Sequence, residues 1–537
     1  MSDTISGCLV VCLRVLVPFV RGWRVVVRAS RSADSTSVGL SYRSAIAQTR
    51  ERNWPGIGRA PRLLDPLGLS AIIKNGLVYL LASIHLKLPR SRRKRSKGRR
   101  DYQAGPAKKE ISVRDPIHDF IRLDRFPFIS EIVSTREFQR LRHITQLGIS
   151  PLVYPSANHT RFSHSLGTMH VMERILDHFL RVGDLNKNEF EGILKTGIAA
   201  ALLHDIGHGP LSHSSEQFLN FKHEEISAQI ITRPPISDIL DDARVDPKTL
   251  VKIINHTVSG RYTLISQLIS SELDADRLDY LGRDSYFAGV GFGTIDLERI
   301  ISMLRVFKGS GILQNHAITL NKGKYAVEDY IVGRHLMYEA VYFHKATRGA
   351  ERLIISAIRR ASELRQSGLI PTEFQFLEND SVPSAEQILA IDDHILFSTL
   401  IDWQHANDPL LSDICRRIVE RKLLKSIDLT NERFHAYHDG VKRKFLKLAK
   451  KHKVNADYLC PIDSWTVTPY KPYIVKPADD QPSVITNIFV EDDAGKPTEI
   501  SQLPDADVIR ALTAKKYVDR LYMPEEMKKE AEALFKS

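Results

Sequence analysis

The chain has 537 residues, 43% hydrophobic and 26% charged, an ordinary balance for a globular protein with room for two to four domains. Its four cysteines (Cys8, Cys12, Cys415, Cys460) have no paired metal spacing, which excludes a disulfide framework or a zinc ribbon and makes a reducing, cytoplasmic setting the expectation. The net charge of +12 is local: residues 1–100 hold 20 Lys+Arg and 4 Asp+Glu, leaving 56 against 60 elsewhere, so a nucleic-acid partner read from overall charge would rest on that segment alone.

Residues 7–27 are apolar but interrupted by Arg14, Pro18, Arg21 and Arg24. A spanning helix tolerates no such arginines at mid-membrane, so no transmembrane segment is expected. Positive charge inside the apolar run, rather than before it, also argues against a secretory signal. The Arg- and Ser-rich, acid-poor texture superficially suits a transit peptide; a poorly ordered basic extension over 1–105 is the main expectation. Residues 72–88 suit a short apolar helix. The run 90–100, RSRRKRSKGRR, reads as a solvated linker, with attraction for nucleic acid or anionic lipid as the sharper alternative.

From residue 111 the pattern is that of an ordered, mainly α-helical domain. Asp115-Pro116-Ile117-His118 is a turn. A helix is expected over 134–147, with Phe138, Leu141 and Ile144 at i, i+3 and i+6, ended by Gly148; 151–155 reads as extended. A second helix, about 162–182, puts Leu166, Met169, Met172 (or Val171), Leu176 and Phe179 on one face and His164 in its first turn. Helices follow over 250–256 and 264–281. A small β-hairpin is expected over 311–325 with Asn321-Lys322-Gly323 as its turn, then one long helix over 327–366. Helical, charged sequence to about 460 precedes short strands or loops over 461–504 and an amphipathic helix over 505–535. The expected organisation is an extension (1–105), a catalytic core (106–370) and a helical C-terminal region with short strands (371–537).

The stretch most loaded with chemistry is 198–224, IAAALLHDIGHGPLSHSSEQFLNFKHE. An apolar helix runs into His204-Asp205, followed by His208, His213 and His223. Asp is rarely buried unless paired or metal-bound. Adjacent helical residues diverge by about 100°, so His204 and Asp205 can share an ion only at a helix end, which Gly207 and Gly209 place there. With His164 upstream and Asp276 downstream, two imidazoles and two carboxylates come from separate helices, as bundles build metal sites. That donor set suits a divalent iron, manganese, zinc or magnesium ion.

These residues match the H…HD…D signature of the HD-domain phosphohydrolases. The segments DPIHDFI, EFQRLRHITQLG, NHTRFSHSLG, LLHDIGHGPLSH, KHE, DADRLDYLGRD and VYFHK, in that order, resemble the deoxynucleoside triphosphate triphosphohydrolases, especially the branch of the animal SAM- and HD-domain enzyme and its bacterial relatives. The resemblance covers about 110–360, with no SAM domain visible. It implies an HD-domain helical core and cleavage of dNTPs to deoxynucleoside and triphosphate. It also implies a proton donor at His213, with His208 and His223 beside it and Glu216 or Glu224 orienting a histidine. Glu216 stands where the family more often has Asp. Arg161, Arg277, Arg334 and Lys345 match triphosphate contacts, and an 11-residue separation would place Arg334 and Lys345 on one helical face. Gln146, Leu147, Tyr280, Asp284 and Tyr342 match substrate contacts, Tyr342 closing the space at C2′. Ser134 replaces the Asp that reads guanine in the animal enzyme's activator site, whereas Gln139 and Arg142 are retained; a hydroxyl cannot accept guanine's two donors as a carboxylate does. A homo-oligomer, dimer or tetramer, with a nucleotide activator between subunits is the implied assembly. The alternatives are an HD phosphohydrolase of another nucleotide, monophosphate or cyclic, and a nucleic-acid-binding protein with a vestigial site.

Overall fold

The computed structural model describes residues 110–536 apart from 365–367, 380–381, 431–438, 474–483 and 493. The basic extension, the 72–88 helix, the 90–100 run, Cys8 and Cys12 lie outside the described residues. Strands β1 (Ser112–Asp115) and β2 (Asp119–Arg122) pair antiparallel. Asp115 Oδ1 accepts from the N–H groups of Ile117 (2.9 Å) and His118 (3.0 Å), the Asx closure that makes Asp-Pro-Ile-His a turn.

Helix α1 (Pro127–Ser134) begins on a proline, whose missing N–H is not needed there. The helix expected over 134–147 is not continuous. The chain makes a short turn, Arg136–Gln139, then a 3-10 turn, Arg140–His143, and is extended at Ile144. Phe138, Leu141 and Ile144 are all fully buried; their spacing of three is the 3-10 repeat, not the α-helical one. Residues 151–155 are not extended either, since Ser150–Leu152 forms another 3-10 turn.

Helices α2 (Arg161–Arg181) and α3 (Lys187–Leu203) pack against each other. α3 opens with a capping box: Asn186 accepts from Glu189 N–H at 3.0 Å, and Glu189 accepts from Asn186 N–H at 2.9 Å. Its last turns, from Ile198 to Leu203, are buried on every side, each large side chain contributing about 1.5–3 kcal/mol of apolar burial. Two shorter helices follow, α4 (His213–Leu219) and α5 (His223–Ile231). The helix expected over 264–281 is split: one segment ends at Ile269, and α6 (Ala275–Ala288) restarts after Asp274, whose carboxylate caps it through Arg277 N–H at 2.7 Å. α6 packs on α2.

Strand β3 (Leu304–Val306) pairs antiparallel with β4 (Ala317–Thr319), so the hairpin is displaced from 311–325, and Asn321–Gly323 is a 3-10 turn leading into α7 (Lys324–Met337). The long helix expected over 327–366 is broken. A π-turn, Tyr338–Tyr342, ends α7, and α8 (Lys345–Glu363) starts anew with His344 as its cap. Beyond it come α9 (Asp393–Trp403), β5 (Lys425–Asp428), α10 (Asp439–Lys451), β6 (Ile462–Val467), β7 (Phe489–Glu491), β8 (Pro497–Glu499), β9 (Lys516–Met523) and α11 (Glu525–Lys536). The sheets are small: β1-β2, β3-β4-β7-β8 and β5-β9-β6, with β4 and β7 parallel. The fold is mainly helical, as expected. One core joins Ile121, Leu203, Ile354, Leu396 and Val490, so residues on both sides of position 370 share it; a second cluster packs Phe445 and Met527 on Ile427 and Leu521. Among the described residues, no helix is long and apolar enough to cross a membrane.

Candidate active site and metal centre

Three helix ends meet at one point. His164 lies in the first turn of α2, Asp276 in the first turn of α6, and His204-Asp205 just past the end of α3. His164 Nε2 is 2.9 Å from Asp276 Oδ1 and 3.5 Å from Asp205 Oδ2; His204 Nε2 is 3.3 Å from Asp205 Oδ2 and 3.5 Å from Asp276 Oδ1. The other ring nitrogens are already engaged: His164 Nδ1 with Asp279 Oδ2 at 2.8 Å, His204 Nδ1 with the Ala201 carbonyl at 2.9 Å. Both Nε2 atoms are buried and, although they face these carboxylates, neither completes a hydrogen bond of good geometry. Such orphaned groups cost about 1–3 kcal/mol each and are what a metal ligand looks like. The field agrees. Burial alone would lower the pKa of His204, but Asp205 and Asp276 push it up to about 10, and the charge density that retains a proton also favours a cation in its place. Burial would raise the Asp205 carboxyl, yet Arg161, His204 and His208 hold it well below the ordinary range. The residues present therefore fit a divalent ion.

A second layer fixes these ligands. Buried Asp279 accepts from Arg283 Nε (2.9 Å) and Nη2 (2.8 Å) and lies 2.7 Å from His118 Nε2; Arg283 Nη1 donates to Asp115 Oδ2 at 2.7 Å. The carboxylate-histidine pair selects the tautomer that turns Nε2 inward. Sequence reasoning did not single out Asp279, Arg283, His118 or Asp115 as site residues. The available signal was spacing: Asp279 is three residues past Asp276, on the same helical face. Gly167 makes room for this layer, since a Cβ there would lie 1.9 Å from Asp279 Oδ1. Gly207 has a similar reason: its Cβ would lie 2.3 Å from the His223 carbonyl. Close approach to α5, not a left-handed helix cap, explains that glycine.

The histidine cluster lies beside the ligands. Glu216 Oε1 is 2.7 Å from His213 Nδ1 and 3.1 Å from His223 Nδ1. Burial would raise its carboxyl, but these two partners hold it down to about 2. His208 is fully buried, stacks on His223 at 3.8 Å between ring centroids, and has Nε2 3.3 Å from Asp205 Oδ1. Glu224 Oε2 lies farther off, 3.5 Å from His223 Nδ1.

His204, Asp205 and Asp276, with His213, Glu216, His223 and Glu224, line a cleft of about 1020 Å³, whereas His164 and His208 do not line it. Gln146, Leu147, Arg161, Tyr280, Asp284 and Tyr342 line it too. Tyr342 Oη donates to Asp284 Oδ2 at 2.8 Å, and His159 Nε2 is 2.7 Å from Asp284 Oδ1. Arg161 pairs with Asp205 and donates to Ser212 Oγ. Arg277, Arg334 and Lys345 do not line the cleft. Arg277 is bound by Asp274 and the Ser271 carbonyl, Arg334 by Glu272 and the Pro469 carbonyl, and Lys345 is exposed. The π-turn and the break at Phe343–His344 remove the continuous face that Arg334 and Lys345 were expected to share. At the expected activator position, Ser134 Oγ donates to the Ser130 carbonyl at 2.7 Å, while Arg142 donates to Gln139 Oε1 at 2.8 Å.

The HD domain matches residues 161–284, and the HD associated region matches 295–458. The uncharacterized protein YwfO of Bacillus subtilis is 32% identical over 434 residues, covering 79% of this chain and 95% of YwfO. The chain belongs to the HD-domain phosphohydrolase family. A crystal structure of a phosphohydrolase from Bacteroides thetaiotaomicron superposes with a TM-score of 0.65 at 29% identity, over 78% of this chain and all of that one. The deoxynucleoside triphosphate triphosphohydrolase SAMHD1 homolog of Dictyostelium discoideum is 26% identical over 349 residues, 61% of this chain and 62% of that protein. The four ligand candidates of this HD-domain chain all lie within its HD match, whereas Asp393, which bonds to the loops at Thr145 and Leu211, belongs to the associated region.

Proposed function

We propose that this HD-domain protein hydrolyses dNTPs to deoxynucleoside and inorganic triphosphate. The observation that carries the reading is the convergence of His164, His204, Asp205 and Asp276, three of them lining a nucleotide-sized cleft that the His213–Glu216 pair also lines. A divalent iron, manganese, zinc or magnesium ion held by those four residues would supply Lewis-acid activation of water and phosphate. Water adds to the α-phosphorus and the bond to the 5′ oxygen breaks. His213, its Nδ1 engaged by Glu216, gives the Nε2 proton to the departing oxygen. His208 and His223 order the polar wall behind it, and Glu224 supports His223. Arg161 offsets negative charge developing near the ligands. Tyr342 packs at C2′, and Gln146, Leu147 and Asp284 hold the sugar, with Tyr280 packed against Tyr342. Assembly into a homo-oligomer, with a nucleotide activator between subunits, completes the proposal.

A second reading is hydrolysis of another nucleotide, monophosphate or cyclic. It is favoured by the engagement of Arg277 and Arg334 with Asp274 and Glu272, which leaves Arg161, Lys222 and Arg348 as the cations lining the cleft. The test is incubation of the purified protein with each dNTP, dNMP and cyclic nucleotide, with Mn²⁺ or Mg²⁺ and with or without a second nucleotide, resolving products. Triphosphate plus deoxynucleoside is expected. Pyrophosphate plus monophosphate, or turnover of monophosphates alone, would overturn the dNTP reading.

A further inference from the structure

The loop that delivers His213 is held in a conformation L residues rarely adopt. Leu211 and Ser212 have φ of 59° and 57°, two consecutive positive values on residues other than glycine. Something outside the loop must over-determine it. Leu211 N–H donates to Asp393 Oδ1 at 2.7 Å, and the other oxygen, Oδ2, accepts from Thr145 N–H at 2.8 Å. Thr145 begins the separate loop that carries Gln146 and Leu147. The two loops are also stitched directly, Ser212 Oγ donating to the Thr145 carbonyl at 2.7 Å. Gly148 packs on the same place: a Cβ there would lie 2.9 Å from the Leu211 carbonyl. The neighbours of Asp393 repeat the arrangement. Arg140 donates to the Ile391 carbonyl and to the His208 carbonyl, both at 2.9 Å, and His143 Nδ1 is 3.1 Å from Asp392 Oδ2. Asp393 is buried at 6% exposure and does not line the cleft.

We propose that Asp393 is a positioning residue for the hydrolysis: one carboxylate from α9 bridges the proton-donor loop and the sugar loop and sets their spacing. The inference rests on the dNTP reading above. Its chemistry demands a carboxylate, because both partners are N–H donors. An amide offers one acceptor oxygen and turns an NH₂ group toward the second donor. No ligand candidate hydrogen-bonds to it directly, so its substitution should leave bound metal unchanged.

The experiment compares wild type with Asp393→Asn in the full chain, on a dNTP and on its analogue with sulfur for the bridging 5′ oxygen, a leaving group that departs without a proton. Asp393→Asn should lower kcat on the dNTP about 100-fold, the scale of a 1 Å misplacement. On the sulfur analogue the loss should be under about 5-fold, with bound metal unchanged; weakening of KM from the sugar loop should be equal for both substrates. An equal kcat loss on both substrates, or wild-type kcat, overturns the inference. If Asp393→Asn does not fold, Asp393→Glu carries the same comparison, since it keeps both acceptor oxygens but displaces them by one methylene from Leu211 N–H and Thr145 N–H. A wild type inactive on every dNTP overturns the substrate reading first, and that result is separable because it needs no variant.

Discussion

The chemistry of single side chains here is set by what their second atoms do. Each ligand histidine spends Nδ1 on a fixed acceptor, and only then does Nε2 become a directed donor to a cation. Replacing His204 and Asp205 together by alanine should abolish turnover and reduce bound divalent metal to background, with the circular dichroism spectrum retained; elemental analysis of the purified variant checks it. Persisting activity in that double variant removes the site assignment. The ligand candidates were legible in the residue pattern because His-Asp beside a chain of apolar residues is unusual. Asp279 was not, because an acid three residues from another acid on a helix is ordinarily a solvated face. Its burial depends on Arg283, which in turn pairs with Asp115, 168 residues upstream of that arginine.

At the level of elements, α2 and α6 must approach closely enough for Asp279 to reach His164. Gly167 permits this, a Cβ at its position meeting Asp279 Oδ1 at 1.9 Å and Arg283 Nη2 at 2.4 Å. Gly167→Ala should destabilise the fold by about 1–3 kcal/mol, the usual range for overpacking, and weaken metal binding about 10–100-fold through the displaced second layer. Denaturant titration and metal titration read the two effects separately. An alanine variant with both quantities unchanged would refute the packing argument. Element boundaries diverged from periodicity for identifiable reasons. Spacing of three at Phe138, Leu141 and Ile144 satisfies a 3-10 turn as well as an α-helix. The break at Phe343–His344 contains neither proline nor glycine, so nothing local announced it, and with it went the shared face of Arg334 and Lys345.

For the molecule as a whole, stability should depend on the neutral state of a histidine outside the cleft. Burial, with His118 and Arg174 nearby, lowers the pKa of His170 from 6.5 to about 4. An unfolded chain binds this proton below about pH 6.5, while the folded one resists until about pH 4. The contribution is therefore complete above pH 6.5 and is lost progressively as pH falls from 6.5 to 4. Unfolding free energy measured against pH should fall more steeply over that window for wild type than for His170→Gln; parallel curves would contradict the assignment. The ring packs 5.3 Å from that of His118, which ties this titration to the support of the metal site.

The sequence by itself determined the helical class, the four ligand candidates, the histidine cluster and the family, because each rests on local residue type, order and spacing. The tertiary structure alone decided which second atoms orient those ligands, which arginines face the cleft and which acid from the associated region clamps the two loops. Those properties depend on hydrogen bonds between residues as far apart as Thr145 and Asp393, or on strands such as β4 and β7 meeting in parallel. No periodicity within one segment encodes a partner that distant; only the packing of the shared core brings the two together.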